Sequence, residues 1–248
     1  MQRYFLGILI SVLYAATGFG QFQQGDKMVG TTVFSSFYNS GSSEQGTGGA
    51  VNTTSRVKSY GITVSPAIGW FISDQLVLGA TVNINPAGDK TTYESAGGIT
   101  FQSQTQNRFN VGIGGFARKY IGSSKTILPF IHGGFNLGAS TASSEGFFYG
   151  GTGPGLYKET YTGKSPAGFF TNAVVNGGIT KMLGPNAGLD LFIGYNYSYS
   201  KNTFTTVRLF DQGNNGSIDN RFESKTTTKF SNHGVILGIG FQVFLRKK

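Results

Sequence analysis

Eight stretches of the chain carry at most one charged residue each and alternate apolar with small polar residues. The connectors between them are alternately long and short, with short ones at 72–75, 121–125 and 183–187 and long ones at 39–57, 86–107, 140–165 and 201–229. Three short turns interleaved with four long loops are typical of an up-and-down β-barrel. The sequence therefore predicts an all-β, eight-stranded antiparallel barrel with strands over 28–38, 59–71, 76–85, 109–117, 126–139, 166–180, 189–200 and 230–245.

The alternation separates an apolar face from a face of small polar residues. In 76–85, Leu78 and Val82 lie on one face and Thr81 and Asn83 on the other, because successive side chains of a strand point to opposite sides. In a soluble barrel the second face would meet water and carry many Lys and Glu residues. Small uncharged residues suit the crowded interior of a narrow barrel instead. We therefore predict that the apolar face contacts lipid, with short periplasmic turns and long extracellular loops.

The composition agrees with strands that are apolar on one face only. Charged residues make up 12% of the chain and glycine accounts for 39 of 248 residues, against about 25% and about 7% in ordinary soluble domains. The mean hydropathy is nevertheless −0.10, as expected when each strand is half polar. The chain has no cysteine, which excludes disulfides, thiolate metal sites and cysteine nucleophiles.

Residues 1–20 have the pattern of a targeting segment. Arg3 supplies a positive start, an apolar stretch follows, and Gly18 and Gly20 are small residues where a signal peptidase inspects the chain. We expect a signal peptide over 1–20 that is cleaved before Gln21. The mature barrel would then comprise 21–248 and reside in the bacterial outer membrane of a Gram-negative cell.

The positive net charge of +9 is distributed between the two rims of the predicted barrel. This distribution argues against a nucleic-acid partner, which favours basic residues along one element. A lipid-phosphate contact is one hypothesis for the outer group, and a solvated loop is the alternative. Expected partners are outer-membrane lipid and lipopolysaccharide, the barrel-assembly machinery during biogenesis, and a protein bound at the loops or in a larger membrane complex. The outer group comprises Lys201, Arg208, Arg221, Lys225 and Lys229.

Aromatic residues cluster near the predicted strand ends. Amphipathic rings favour the boundary between lipid and water, which predicts two membrane girdles. The predicted strands also exceed the roughly 9–11 residues needed to cross a bilayer, so the barrel is expected to extend outward. The girdle residues are predicted to be Trp70 and Tyr120 on the periplasmic side and Tyr60, Phe109, Tyr197 and Tyr199 on the outer side.

Three residues are expected to shape the barrel wall and lumen. Arg118 and Asp190 lie near the periplasmic end, where an interior ion pair would plug the lumen, because an unpaired charge there is costly. The alternative is a selectivity element in a conducting pore. Pro66 falls in mid-strand and cannot donate to the ladder, so a bulge or local break is expected near it.

Catalytic and metal sites are less well supported by the sequence. Barrels that remodel lipid A are similar in size and use a histidine with a serine and an acid, but His132 is predicted to face the interior and His233 the lipid. The segment beginning at Asp211 matches a calcium loop at Asp211, Asn215 and Asp219 but departs from it at Gly213. A Gly/Asn-rich turn explains this loop without a metal. We predict neither catalysis nor a cofactor.

The chain resembles the small outer-membrane β-barrel families typified by OmpX and OmpW. The resemblance covers 25–245 and rests on architecture and on phrases such as the segment from Ile68 to Leu76. In such families the last strand resembles a recognition signal for barrel assembly, with a glycine, alternating hydrophobic residues and a terminal aromatic. The tail from Leu245 to Lys248 lies beyond that aromatic and departs from the pattern. The matching positions are Gly238, Phe241, Val243 and Phe244.

The sequence therefore predicts a non-enzymatic, integral outer-membrane barrel with a structural or surface-interaction role exerted through its extracellular loops. Two alternatives stay open. One is an OmpW-like conduit for small hydrophobic molecules, which would need an apolar lumen that opens sideways into lipid. The other is an accessory barrel subunit of a larger outer-membrane complex.

Overall fold

The wall of the barrel is a single antiparallel sheet. The computed structural model describes residues 22–35, 39–47, 50–151 and 155–247, so the predicted signal peptide and its cleavage point lie outside the described residues. Within these ranges the strands are β1 (Lys27–Ser35), β2 (Asn39–Thr47), β3 (Ala50–Ser73), β4 (Leu76–Glu94), β5 (Thr100–Tyr120), β6 (Ile127–Gly150), β7 (Tyr157–Met182), β8 (Ala187–Gln212) and β9 (Asn220–Leu245). No helix in these ranges is long and apolar enough to cross a membrane.

The sheet closes on itself and confirms the predicted eight-stranded barrel. Each strand from β3 onward pairs antiparallel with the next, and β1 pairs with both β3 and β9, with Lys27 opposite Trp70 and Leu245. β1 and β2 both pair with β3 and together form the first strand of the wall. Closure matters because lipid offers no hydrogen-bond partner to an exposed strand edge.

The long connectors differ from their prediction because most of their length is strand. β7, β8 and β9 each contain 26 residues, and the turn between β8 and β9 occupies only 213–219. Outside the membrane neither face of a strand has to be apolar, so the alternation that identifies the lower strands disappears while pairing continues. The barrel therefore projects well beyond the bilayer on its outer side, as predicted.

Apolar side chains face outward around the membrane-spanning part of the wall. The predicted orientation of the two faces is confirmed, because Leu78 is 43% exposed whereas Asn83 on the opposite face is 3% exposed. An outward apolar band of this kind is typical of outer-membrane barrels. The band includes Val29, Ile62, Ile68, Leu78, Val82, Val111, Ile113, Ile131, Phe135, Leu137, Val175, Ile179, Leu189, Leu191, Ile193, Val235, Leu237, Ile239 and Phe241.

The outer half of the first wall strand is less completely paired than the lower half. The β1–β9 ladder ends with Ser35 opposite Leu237. Among the described residues, β2 pairs with β3 alone, and β9 from Asn220 to Ile236 pairs with β8 alone. Only the membrane-spanning part of the barrel is therefore a closed ring of hydrogen bonds within the described ranges.

Glycines make room inside the lumen for large aromatic side chains. Gly238 on β9 lies directly against the Phe192 ring on β8, and an added Cβ would meet three of its ring atoms. Gly234 lies four residues further out on the same strand and face, and a Cβ there would meet nothing within 4 Å. Substituting each glycine by alanine therefore distinguishes the effect of side-chain packing from the effect of replacing a glycine in a strand.

We predict that Gly238→Ala destabilises the folded barrel by about 1–3 kcal/mol, because overpacking forces Phe192 to move. Gly234→Ala is the matched control and should leave stability unchanged or slightly raised, because alanine loses less backbone entropy than glycine. Urea unfolding in lipid vesicles, followed by the fluorescence of Trp70, measures both. Equal stabilities for the two variants would contradict the packing assigned to Gly238.

Candidate functional site

An aromatic cluster closes the periplasmic end of the lumen. Phe22 precedes β1 and is fully buried beneath the barrel, with its ring centroid 4.4 Å from Phe244, 4.8 Å from Phe71 and 5.0 Å from Tyr120. Sequence reasoning missed Phe22, because it lies outside every alternating stretch. We call Phe22, Phe71, Tyr120, Phe130 and Phe244 the aromatic plug.

The prediction of Tyr120 as a girdle residue is wrong. Its side chain is fully buried in the lumen, where its hydroxyl accepts a hydrogen bond from Arg118 Nη1 at 3.3 Å. Arg118 and Tyr120 are two residues apart on β5 and therefore share a face. The interior position of Arg118 could have indicated this location for Tyr120.

Asp26 fixes the segment that carries Phe22. Its side chain is 3% exposed and accepts hydrogen bonds from the backbone N–H of Gln23 at 3.1 Å and of Lys247 at 2.8 Å. The guanidinium of Arg246 lies 3.8 Å from the Asp26 carboxylate. Asp26 thus connects both ends of the described chain at the periplasmic rim, which holds the plug against the barrel.

A buried ion pair lies directly above the aromatic plug. Arg118 Nη1 is 2.6 Å from Asp190 Oδ2, and the two side chains are 2% and 0% exposed. Asp190 also accepts hydrogen bonds from Thr180 Oγ1 at 2.6 Å and Gln242 Nε2 at 3.0 Å. The guanidinium lies 4.2 Å from the centroid of the Phe130 ring. The structure therefore places both predicted lumen charges in one network that obstructs the barrel axis.

Amide side chains fill the lumen above the ion pair. Asn172 donates a hydrogen bond to Asn196 and accepts one from Asn136, and Asn110 donates to Asn85 at 3.0 Å. A small cavity of about 40 Å³ lies near Arg118 and His132. Three buried amide oxygens in this layer accept no hydrogen bond from the described part of the chain. They belong to Asn110, Asn136 and Asn176.

An interior cavity of about 330 Å³ lies in the outer half of the barrel. Its lining combines amides with aromatic rings and one cation, Arg108, which forms an ion pair with Asp89 at 3.1 Å and lies 5.2 Å from the Phe230 ring centroid. The lumen is therefore amphipathic, and the apolar lumen required by the hydrophobic-conduit alternative is not observed. The lining includes Phe34, Asn83, Asn85, Arg108, Asn110, Phe170, Asn172, Asn196, Tyr199 and Phe230.

The wall beside this cavity has an interrupted backbone ladder. β3 and β4 keep one register, with Gly61 opposite Ala87, Val64 opposite Ile84 and Ala67 opposite Thr81, but 62–63 and 65–66 have no ladder partner on β4. The expected local break at Pro66 is present, without the alternative of a bulge. Pro86 lies opposite the other gap by the same register, and neither proline can donate to the ladder. We call this segment the β3–β4 seam.

Side-chain hydrogen bonds replace backbone bonds along the β3–β4 seam. Asn85 Nδ2 donates to the carbonyl of Ile62 at 3.1 Å and to Thr63 Oγ1 at 2.8 Å. Thr81 Oγ1 donates to the carbonyl of Pro66 at 3.1 Å. Side-chain bonds can exchange by rotamer change, whereas backbone bonds require the strands to separate. This segment is consequently better suited to open than the continuously paired parts of the membrane-spanning wall.

The two histidines do not form a hydrolytic site with the residues described. His132 faces the interior, where Arg118 Nε donates to its Nδ1 at 3.4 Å and Phe116 stacks on its ring at a centroid distance of 5.3 Å. His233 bonds to the hydroxyl of Tyr195 at 2.5 Å on the lipid-facing side. Neither makes a contact with a carboxylate in the described ranges. A nucleophile, base and acid in mutual contact, which hydrolysis requires, are not assembled around either ring.

The Asp211–Asp219 loop uses its carboxylates to hold a turn. Asp211 accepts hydrogen bonds from the backbone N–H of Asn215 at 3.0 Å and Gly216 at 2.8 Å, and Asp219 accepts one from Gln212 N–H at 2.6 Å. Asn215 in turn accepts a bond from the Ser217 N–H. The described residues contain no group of three or more acidic or histidine side chains arranged to hold a metal. The carboxylates therefore have a structural role that needs no cation.

The remaining predicted girdle and assembly residues lie at distinct depths of the wall. Trp70 lies at the periplasmic rim opposite Lys27, and Tyr60, Phe109 and Tyr197 are exposed on the outer side. Tyr199 is half-buried and borders the outer cavity. On β9, Phe241 faces lipid, whereas Phe244 is fully buried in the aromatic plug and Gly238 faces Phe192. Recognition of Gly238, Phe241, Val243 and Phe244 by the assembly machinery stays a prediction.

Comparison with known proteins adds likeness at the level of architecture. No protein-family model matches the sequence, and no curated protein matches it. The structure of outer membrane protein OprG from Pseudomonas aeruginosa is 13% identical, with a TM-score of 0.40 over 92% of this chain and 100% of that chain. The structure of outer membrane protease OmpT from Escherichia coli is 12% identical, with a TM-score of 0.49 over 89% and 97%. These scores are too low to carry an argument about either function.

The class of the protein follows from its own architecture. A closed antiparallel barrel with an outward apolar band, short turns at one end and tall hairpins at the other is an integral outer-membrane β-barrel. The chain is therefore an outer-membrane protein whose narrow lumen is filled by side chains, as eight strands require.

We predict that Asp190→Asn destabilises the barrel by about 3–5 kcal/mol, because it leaves the buried Arg118 cation uncompensated. The double variant Arg118→Met/Asp190→Asn should recover most of this loss, since it removes the unpaired charge. An amide at position 190 can accept from Thr180 and, once the Gln242 amide rotates, donate to Gln242 Oε1. Urea unfolding in lipid vesicles measures both. A single variant within about 1 kcal/mol of the unsubstituted protein would show that the pair is not buried as described.

Proposed function

We propose that this protein is a non-enzymatic, non-conducting barrel that acts on the outer side of the membrane. The aromatic plug is the observation that carries the proposal, because it closes the periplasmic end of the lumen and the Arg118–Asp190 network fills the layer above it. Signal-peptide cleavage before Gln21 belongs to the same proposal. It would leave Phe22, a member of the plug, as the second residue of the mature chain.

The outer extension supplies the surface for interaction. On β6, Phe147 and Tyr149 lie on one face with their ring centroids 5.4 Å apart, and the ammonium of Lys158 on β7 lies 6.0 and 5.5 Å from the two rings. Aromatic residues are enriched at the energetic centres of protein interfaces, and the lysine ammonium adds a cation–π attraction at these rings. This part of the hairpin lies above the membrane band, where a protein partner has access.

We predict that the purified protein produces no current steps in planar bilayers, because the plug and the ion-pair layer block the axis. A 16-stranded porin, which leaves an aqueous channel, is the positive control for insertion and detection. Incorporation of the plugged barrel is verified by recovering it from the same membranes. Reproducible conductance steps that depend on the protein would contradict the closed lumen and support a selective pore.

A second candidate function is lateral passage of small amphipathic molecules, and the β3–β4 seam favours it. The seam borders the outer cavity through Thr63, Asn83 and Asn85, so the cavity adjoins a part of the wall whose backbone ladder is interrupted. A molecule that enters from the outside could leave towards lipid without passing the plug. The mixed lining favours an amphipathic molecule over a purely hydrophobic one.

We predict that a disulfide across the seam, introduced as Ser65→Cys/Asn83→Cys, abolishes lateral passage. The two side chains meet across the strands, with Asn83 Nδ2 donating to Ser65 Oγ at 3.2 Å, and the chain has no other cysteine. Uptake of N-phenyl-1-naphthylamine by cells is the measurement, under oxidising conditions and after reduction. Oxidation should lower uptake to the level of cells without the protein, and reduction should restore it.

The control for this experiment is Thr203→Cys/Thr227→Cys, which joins directly opposed residues in the uninterrupted β8–β9 ladder; their hydroxyls lie 3.0 Å apart. Its oxidation should leave uptake unchanged, because that part of the wall is already held by backbone hydrogen bonds. Uptake that is insensitive to the Ser65–Asn83 disulfide would exclude the seam as the route and leave the surface-interaction function.

A further inference from the structure

Two lysines lie directly opposite each other on the outward face of β8 and β9. Lys201 pairs with Lys229 in an unbroken register, and both side chains are exposed. Directly opposed residues on one face have Cβ atoms about 5 Å apart, and like charges there destabilise the sheet. An anion between the two ammonium groups would convert this repulsion into attraction.

Two more lysines extend this cationic surface outward. Thr205, four residues beyond Lys201, faces Lys164 on β7 and Lys225 on β9. Four residues correspond to about 13 Å along a strand, and the step across two strands to about 10 Å. Lys164, Lys201, Lys225 and Lys229 take part in no ion pair within the described chain. We call these four residues the lysine patch.

The lysine patch lies immediately outside the membrane band. Phe169 on β7 is directly opposite Lys201 and is 47% exposed, and Tyr197 precedes Lys201 on the same face and is 44% exposed. Between the two levels of lysines, the Thr203 and Thr227 hydroxyls bond to each other at 3.0 Å, which adds polar groups to the surface. Rings of this kind mark the level of lipid headgroups, so the patch lies where phosphate groups occur.

Below the patch, the same strands form an apolar groove on the lipid-facing surface. The groove has a volume of about 630 Å³, and outward-facing Gly177 contributes no side chain to its floor. Its walls are Val33, Ile179, Leu191, Ile193, Leu237 and Ile239.

The separation of groove and patch fits one lipid molecule. Ile193 and Lys201 are eight residues apart, which is about 26 Å along the strand and about 20 Å along the membrane normal at a tilt of about 40°. Half the hydrocarbon core is about 15 Å and a headgroup region adds about 5–7 Å. An acyl chain that ends in the groove therefore places its headgroup beside Lys201 and Lys229.

We propose that β7, β8 and β9 form a binding site for a phosphorylated glycolipid of the outer leaflet, with its phosphates on the lysine patch and one acyl chain in the groove. The charge of the patch selects an anionic headgroup, and the groove selects a lipid over free phosphate. Two acidic residues lie at the outer margin, Glu223 opposite Val207 and Glu145 opposite Thr162, and both would lie beyond the bound headgroup.

The test is a titration of the full barrel in detergent micelles with bisphosphorylated lipid A, followed by native mass spectrometry. Lys201→Gln/Lys229→Gln should weaken binding on the order of tenfold or more, because each surface lysine contributes appreciably to the attraction of anionic lipid. The matched control is Lys58→Gln/Lys90→Gln, a second opposed lysine pair on the outward face of β3 and β4. It removes the same charge away from the groove and should weaken binding less than threefold.

Two further arms distinguish a lipid from a phosphate ion. Dephosphorylated lipid A should bind weakly and equally to the unsubstituted protein and both lysine double variants, and inorganic phosphate should not displace the lipid at equal concentration. Gly177→Leu fills the groove without a close contact, since a Cβ there meets only the Phe130 carbonyl at 3.8 Å, and should weaken lipid binding while the lysine patch is intact. Equal effects of the two lysine pairs, or equal binding of the dephosphorylated lipid, would overturn the proposal.

Discussion

The absence of hydrogen-bond partners in lipid is the constraint on which this structure depends. It requires β1 to pair with β9 along the membrane-spanning part of the wall. A ring of eight strands leaves an interior only wide enough for side chains, so charges inside it have to be paired. Arg118 and Asp190 satisfy this condition at a separation of 2.6 Å, and the aromatic plug beneath them excludes water. The closed periplasmic end is therefore a consequence of sheet closure together with the choice of interior residues.

The constraint relaxes where the wall leaves the membrane, and the structure changes there. The β1–β9 ladder ends at Ser35 and Leu237, and above that level the lumen contains the 330 Å³ cavity. The β3–β4 seam is intermediate between the fully paired wall and the open outer part. Pro66 and Pro86 lack backbone donors there, and Asn85 and Thr81 supply side-chain donors instead. Hydrogen bonds therefore still join the two strands at the seam. They come from side chains, which can change partners more easily than backbone groups can. This asymmetry directs both candidate functions to the outer half of the barrel.

The sequence predicts the parts of the fold that lipid constrains and misses the parts that it does not. The alternation in 76–85 and 234–245 reveals both faces, since one face must be apolar. It ends near residue 86 in β4, although the strand continues to Glu94, because outside the membrane both faces are polar. Tyr120 was assigned by residue type, whereas its spacing from Arg118 indicates the interior. Phe22 and Asp26 carry no periodic signal, and their roles appear only when both ends of the chain are brought together.

The same transition between environments explains the opposed lysines. Within the membrane band an outward charge would face hydrocarbon, and that cost excludes lysine from the wall up to the aromatic rings. Just outside the aromatic rings, lysine is exposed to water, and the unfavourable term is the electrostatic repulsion between Lys201 and Lys229. Water reduces this repulsion only in part. An anionic headgroup at that level converts the repulsion into two favourable contacts. The opposed pairs Lys58–Lys90 and Lys201–Lys229 are therefore compatible with a membrane whose outer surface carries phosphate. Only the second pair lies above the described apolar groove, which is why a lipid, rather than a diffuse layer of anions, accounts for the lysine patch.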